Sequence, residues 1–199
     1  RAIASEVGDK SFILVSTVDH DSHLFTLELI RTFAQHKLTP SYHFEIKDGK
    51  KNIDGLVDKI LHAEAHVLVV IASARQSAQI ISEIRRKGFK GHVFGGPCMG
   101  RRSFLEQTAK TTEGVIFPLL YTHSKESKSF YEKYTVHFGK QPDYSAAHTY
   151  DAVNLLIAAI HKAGLNRPRI HDAVRSLSPW KGVTGKIQWD PLGSNSRLV

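Results

Sequence analysis

The chain is poor in cysteine. Cys98 stands alone among 199 residues, which excludes an internal disulfide framework and any multi-cysteine metal site. It has no apolar run near the roughly 20 residues that a spanning helix needs, so membrane insertion is not expected. Methionine is as scarce, with Met99 alone, and the chain opens on Arg1 with no visible signal peptide. It therefore reads as a processed product or a fragment. Nucleotide-binding signatures are missing as well: there is no G-x-x-x-x-G-K-[ST] run, and no G-x-G-x-x-G follows the first strand. Neither a G-x-S-x-G elbow nor a pair of matched carboxylates stands out. The sequence points to no cofactor and no enzyme.

What is present is ordinary in bulk. Hydrophobic residues make up 41% and charged residues 23%, which excludes disorder and collagen-like repeats. Lys+Arg 27 against Asp+Glu 19 leaves a formal charge of +8. The positive residues are scattered over Lys47, Lys50 and Lys51, then Arg85, Arg86 and Lys87, then Arg101 and Arg102, then Lys125, Lys128 and Lys133. None of these groups carries the interleaved aromatics of a base-stacking platform, so no nucleic-acid partner is expected. A mildly basic, solvated surface that attracts anionic surfaces is the expectation.

Hydrophobic spacing alternates strand and helix through the first two-thirds. Phe12–Val18 is a buried-strand run, and Leu24–His36 repeats Leu27, Leu29, Ile30 and Phe33 at helical spacing. Ser41–Ile46 alternates as a strand, Asn52–Ala63 is amphipathic, and His66–Ala72 is the most strand-like segment. Ser77–Lys87 predicts a helix that Gly88 stops at C′. Gly91–Phe94 and Gly114–Phe117 predict short strands around a helix at Arg101–Ala109. The fold class is α/β, a three-layer, mostly parallel sheet with helices on both faces. After Pro118 the pattern turns helical: Ser124–Phe138, a long helix Ser145–Gly164 that is apolar nearly all round between Ala152 and Ile160 and expected to be buried, and Arg169–Leu177. Trp180–Val199 is turn-rich, with one strand expected at Gly185–Trp189.

In an open parallel sheet, ligands bind beyond the carboxyl ends of the strands. Three segments qualify. Asp19-His20-Asp21-Ser22-His23 holds metal-ligand residue types, but Asp19 or Asp21 is also a natural N-cap there, and His23 or Phe25 is placed to line a cleft. Ser73 and Arg75 sit at a strand-to-helix turn suited to an anion, where Arg75 can grip a carboxylate bidentately or simply stand exposed. Gly95 through Met99 is a glycine-rich turn in which Cys98 would be a nucleophile only beside a histidine base.

Several short motifs then line up in one order: Thr112-Glu113-Gly114-Val115-Ile116-Phe117-Pro118, Phe138-Gly139-Lys140-Gln141-Pro142, Tyr150-Asp151-Ala152-Val153, Ala163-Gly164, Gly182-Val183-Thr184-Gly185 and Trp189-Asp190. In that order and spacing the chain resembles the type I periplasmic solute-binding proteins of the branched-chain amino acid ABC transporter class. The resemblance implies a Rossmann-like lobe 2 over residues 1–118, and over 119–199 a hinge crossing near Leu119–Thr122 with the C-terminal part of lobe 1. The N-terminal part of lobe 1 is expected to be missing. It also implies an extracytoplasmic (periplasmic) location, a small ligand closed between hinged lobes, and ABC permease subunits as partners. A ligand-sensing domain of a signalling receptor is the alternative.

On the same template the ligand contacts would be His23, Ser73, Arg75, Cys98 and Tyr121. Where amino-acid binders carry an aromatic residue this chain has Ser73, and where they carry a glutamate for the ligand ammonium it has Pro97 and Cys98. Losing that carboxylate removes a charge-assisted bond of about 1.5–3 kcal/mol. Arg75 points instead to a carboxylated ligand.

Overall fold

The computed structural model describes residues 2–7, 11–47, 53–108, 111–193 and 195. Lys50, Lys51, Asn52, Ala109 and residues 196–199, named in the expectations above, lie outside the described residues. The chain divides into two compact units, Arg1–Pro118 and Leu119–Val199.

The first unit is built on five strands: β1 (Phe12–Thr17), β2 (Tyr42–Ile46), β3 (Val67–Ile71), β4 (His92–Gly95) and β5 (Val115–Ile116), in the order β2-β1-β3-β4-β5. Every pairing is parallel. Helices α1 (Ala2–Val7), α2 (His20–Gln35), α3 (Ile53–His62), α4 (Ala74–Arg86) and α5 (Arg102–Thr108) complete the unit. The short α1 has no counterpart in the sequence expectations. Strand side chains alternate between two cores. Ile13, Val15, Leu68, Val70 and Val93 face α3, α4 and α5, packing with Val57, Ile60, Ile81, Ile84 and Phe104. Phe12, Leu14, Val67, Val69, Ile71 and Phe94 face the other way, packing with Val7 of α1 and Phe33 of α2. Covering both faces explains why β1 and β3 read as unbroken apolar runs.

The helix ends follow local chemistry. Gly88, at φ +92°, ends α4 as expected: its N–H bonds the Arg85 carbonyl at 3.0 Å, and the Phe89 N–H bonds that of Ile84 at 2.9 Å. Helix α2 closes with the same pair of bonds, Lys37 N–H to Ala34 at 3.0 Å and Leu38 N–H to Phe33 at 2.9 Å, but places a lysine at φ +56°. A Cβ is disfavoured there. Lys37→Gly is expected to raise stability by about 0.5–1 kcal/mol, read as a higher midpoint in urea.

One expected stripe is buried only in part. The side of α2 that faces the core carries Ser22, Thr26 and Phe33, whereas Leu27 and Ile30 are exposed. Helical spacing found the helix and part of its inward face, since Phe33 is in the core and Leu29 packs against it.

The second unit holds α6 (Lys128–Phe138), α7 (Tyr144–Ala163), α8 (Arg167–Ser176) and the antiparallel hairpin of β6 (Trp180–Gly182) and β7 (Gly185–Ile187). Phe130 on α6 is buried in an aromatic cluster, with ring centroids 4.7 Å from Tyr150, 5.8 Å from Tyr134 and 6.2 Å from Tyr121. The expectation that α7 is buried all round is corrected. Ala147, Asp151, Leu155 and Ala159 are buried, while Val153, Leu156 and Ile157 on another side stay about half exposed. Within this unit one helix face is enough to cover α8 and the hairpin.

Two of the motifs meet here. The Asp151 carboxylate, 2% exposed, accepts from the Val183 N–H at 2.7 Å, the Thr184 N–H at 2.8 Å and the Thr184 hydroxyl at 2.6 Å. Gly182 lies so close that a Cβ there would collide with this carboxylate. The Tyr150-Asp151 and Gly182-Val183-Thr184-Gly185 motifs are thus two halves of one hairpin clamp.

Candidate functional site at the carboxyl edge of the sheet

With all five strands parallel, their carboxyl ends share one edge. The chain runs from β1 out to β2 on one side and returns to β3 on the other, so strand order reverses between β1 and β3. Paired residues Ser16 with Ile71 and Val70 with Gly95 bring the three strand ends to neighbouring levels. The loops that leave them are the segments expected to carry ligand chemistry.

After β1, Asp19 is the N-cap of α2, which settles the choice between Asp19 and Asp21. Its carboxylate accepts from the Ser22 N–H at 3.1 Å and from the Thr17 hydroxyl at 2.5 Å. Burial pushes the Asp19 carboxyl up, but bonds from Thr17 and Ser22 outweigh it and hold the group below its ordinary value. This carboxylate is therefore charged and already engaged. Helix α2 begins at His20, earlier than the apolar spacing suggested, and His23 lies exposed in its first turn. Among the described residues, no group of three or more His, Cys, Asp or Glu is placed to hold a metal ion.

After β3, Ser73 caps α4 and is half-buried. Its hydroxyl donates to Gln76 Oε1 at 2.6 Å and accepts from the Gln76 N–H at 3.4 Å. The Ser73-Ala74-Arg75-Gln76 spacing is that of a capping box. Gln76 was the missed member, and its spacing from Ser73 was the signal. Arg75 is exposed on the first turn of α4, and no carboxylate among the described residues pairs with it. The free N–H groups and dipole of that turn add to its positive field.

After β4, a 3-10 turn over Pro97–Gly100 places Cys98 half-buried and Met99 fully buried. A Cβ at Gly95 would overlap the Met99 thioether, so the methionine side chain packs against the bare glycine. Tyr121 belongs to the second unit, where its ring meets Phe130 edge-on and its buried hydroxyl has no hydrogen-bond partner among the described residues. Of the expected contacts, then, His23, Ser73, Arg75 and Cys98 gather at one edge of the first unit, and only Arg75 offers an unengaged charge.

A family model described as periplasmic binding protein matches residues 1–198. Among solved structures, the leucine-binding protein LivK of Thermotoga maritima superposes with a TM-score of 0.85 at 21% identity, over 98% of this chain and 58% of that one. The branched-chain amino acid transporter substrate-binding protein LivJ of Streptococcus pneumoniae, in complex with isoleucine, superposes at 0.81 and 20% identity, over 96% and 56%. An ABC transporter substrate-binding protein of Desulfitobacterium hafniense, in complex with Leu, superposes at 0.70 and 21% identity, over 98% and 58%. No curated protein sequence matches the chain. The chain spans less than 60% of the length of each of these three structures. The α/β fold expected from the strand–helix succession is the one they share.

Proposed function

The chain belongs to the periplasmic binding protein family, and from that premise we propose that it works as the solute-binding component of an ABC transporter. In this reading residues 1–118 form the second lobe, and residues 119–199 form the hinge crossing and the later part of the first. The ligand is a small amino acid or related carboxylated solute, held without covalent chemistry. Closure of the lobes draws on contacts made only in the closed state, which shifts an open–closed equilibrium. An extracytoplasmic location and permease partners go with that role, and no described helix is long and apolar enough to cross a membrane.

The observation that carries the ligand class is Arg75: a guanidinium that no described carboxylate pairs, on the first turn of α4, where the strand order reverses. Asp19, the N-cap carboxylate of the neighbouring loop, is held by Thr17 and Ser22 and is not offered to an ammonium. Ser73 orients the turn through Gln76, and His23 and Cys98 supply the flanks. Tyr121, with its unpartnered hydroxyl, is the contributor from the second unit.

Calorimetry on the parent protein, with a panel of amino acids and small carboxylates, tests this directly. A carboxylated solute is expected to bind, and Arg75→Ala to weaken it by about 10- to 150-fold, the 1.5–3 kcal/mol of a charge-assisted bond. Arg75→Lys should fall between the two, since a point charge replaces a fork. Equal affinity of wild type and Arg75→Ala would sink the assignment.

A further inference from the structure

The first turn of α4 is closed by two side chains acting together. The Ser73 hydroxyl donates to Gln76 Oε1 at 2.6 Å and accepts from the Gln76 N–H at 3.4 Å. A capping box of this spacing takes glutamate or glutamine at that position, since both present an acceptor oxygen. Glutamate would gain further from the helix dipole, because negative charge is favoured at an N-terminus. This chain carries the neutral amide, and the first turn of α4 holds no acidic residue.

The segment beside that turn has the same character. The Gly96 N–H bonds the Val70 carbonyl at 3.0 Å, which sets the turn after β4 against the end of β3. From Gly95 to Leu105 this segment carries Arg101 and Arg102 and no carboxylate. Glu106, the first acid beyond it, accepts from the Arg102 guanidinium at 2.6 Å. Across the reversal of strand order, Asp19 caps α2 and Asp21 lies in the first turn of that helix. Gln76 is half-buried and follows the exposed Arg75 directly. With Oε1 turned to Ser73, the other end of its amide is Nε2, which only donates. A carboxylate at this position would keep the box. It would also set a negative charge one residue from Arg75, against any carboxylate that the guanidinium holds.

We propose that Gln76 is a specificity-determining residue of the solute site: its uncharged amide closes the α4 turn without opposing the carboxylate that Arg75 receives. The inference rests on the solute-binding reading. It adds that this turn selects by the absence of negative charge as well as by the presence of Arg75.

Gln76→Glu separates stability from binding. Calorimetry on the parent protein uses the standard amino acids, acetate, succinate and benzoate as probes. Gln76→Glu is expected to melt at or above the wild-type temperature, because box and dipole both accept it. It is expected to bind the probe that wild type binds about five- to twentyfold more weakly. That deficit should shrink as salt is raised from about 0.05 to 0.5 M, which screens the repulsion. Gln76→Ala opens the box without adding charge, so it should melt lower than Gln76→Glu yet bind more tightly. Gln35→Glu, an equal charge change at the last residue of α2, should bind within about twofold of wild type. Equal affinity of Gln76→Glu and wild type overturns this inference alone and leaves the solute-binding reading standing. So does a deficit that salt leaves unchanged, a Gln76→Glu that melts below wild type, or a Gln76→Ala that binds more weakly than Gln76→Glu. An equal loss in Gln35→Glu does the same. If no probe binds wild type, the carboxylated-solute reading falls and the inference falls with it.

Discussion

Replacing Asp151 with alanine is expected to cost the second unit about 3–5 kcal/mol, because three donors to a buried carboxylate lose their acceptor at once and the losses are not fully additive. The Val183 and Thr184 N–H groups and the Thr184 hydroxyl all donate to this one carboxylate. The space left by the carboxylate is bounded by Gly182, which has no side chain to fill it. Asp151→Asn should cost less, about 1–2 kcal/mol, since one oxygen still accepts while the new NH2 faces a donor. Hydrogen exchange is the direct readout. Protection should be lost first at Val183, Thr184 and the β6–β7 pairing, with β1 and β3 unaffected. Unchanged protection at those two amides would remove the clamp from the account.

Leu68→Ala is expected to destabilise the first unit by about 3 kcal/mol, the transfer loss plus the cavity it leaves. Leu68 is fully buried in β3, between Ile13 and Val93 on the neighbouring strands, in the core against α3, α4 and α5. Neither neighbour can move without breaking the ladder that holds it, so the site cannot collapse. The contrast is Leu27→Ala on α2. It removes the same atoms from a side chain about half in water and should cost less than about 0.5 kcal/mol. Urea unfolding of the two variants side by side checks both values, and equal losses would contradict the burial pattern.

That pair of leucines shows where sequence pattern reaches its end. In β1 and β3 the pattern was sufficient. A strand covered on both faces must be apolar at every position, so Phe12–Val15 and Val67–Ile71 announce both the strand and its burial. Gly88 likewise announced the end of α4. For α2, spacing showed a helix but only part of its inward side: Leu29 and Phe33 pack inward, while Ser22 and Thr26 are also buried and Leu27 and Ile30 face water. Helical period says that a stripe exists, and only the position of the neighbouring sheet says which stripe is covered. Helix α7 made the same point from the other direction: apolar residues all round were read as burial all round, yet Val153, Leu156 and Ile157 are half exposed.

The site divides in a similar way. Asp19 and Ser73 are legible as caps, since short polar side chains before an apolar run satisfy free N–H groups at a helix start. Arg75 is legible as a charge beside such a start. Nothing local could say that Thr17 and Ser22 would keep the Asp19 carboxylate occupied, or that Arg75 would find no carboxylate partner among the described residues. Those are outcomes of which loops lie together, and they decide which charge is available to a ligand.

Composition and periodicity alone sufficed for the α/β class, the parallel sheet with both faces covered, and the change of character after Pro118. Each follows from chain-local rules: side-chain period, helix capping, and the need of backbone groups for partners. The strand order β2-β1-β3-β4-β5, and with it the reversal between β1 and β3, came from the tertiary structure. So did the meeting of Asp151 with Val183 and Thr184 across more than thirty residues. Long-range pairing is chosen by the fit of whole surfaces, and no window of sequence contains both surfaces at once.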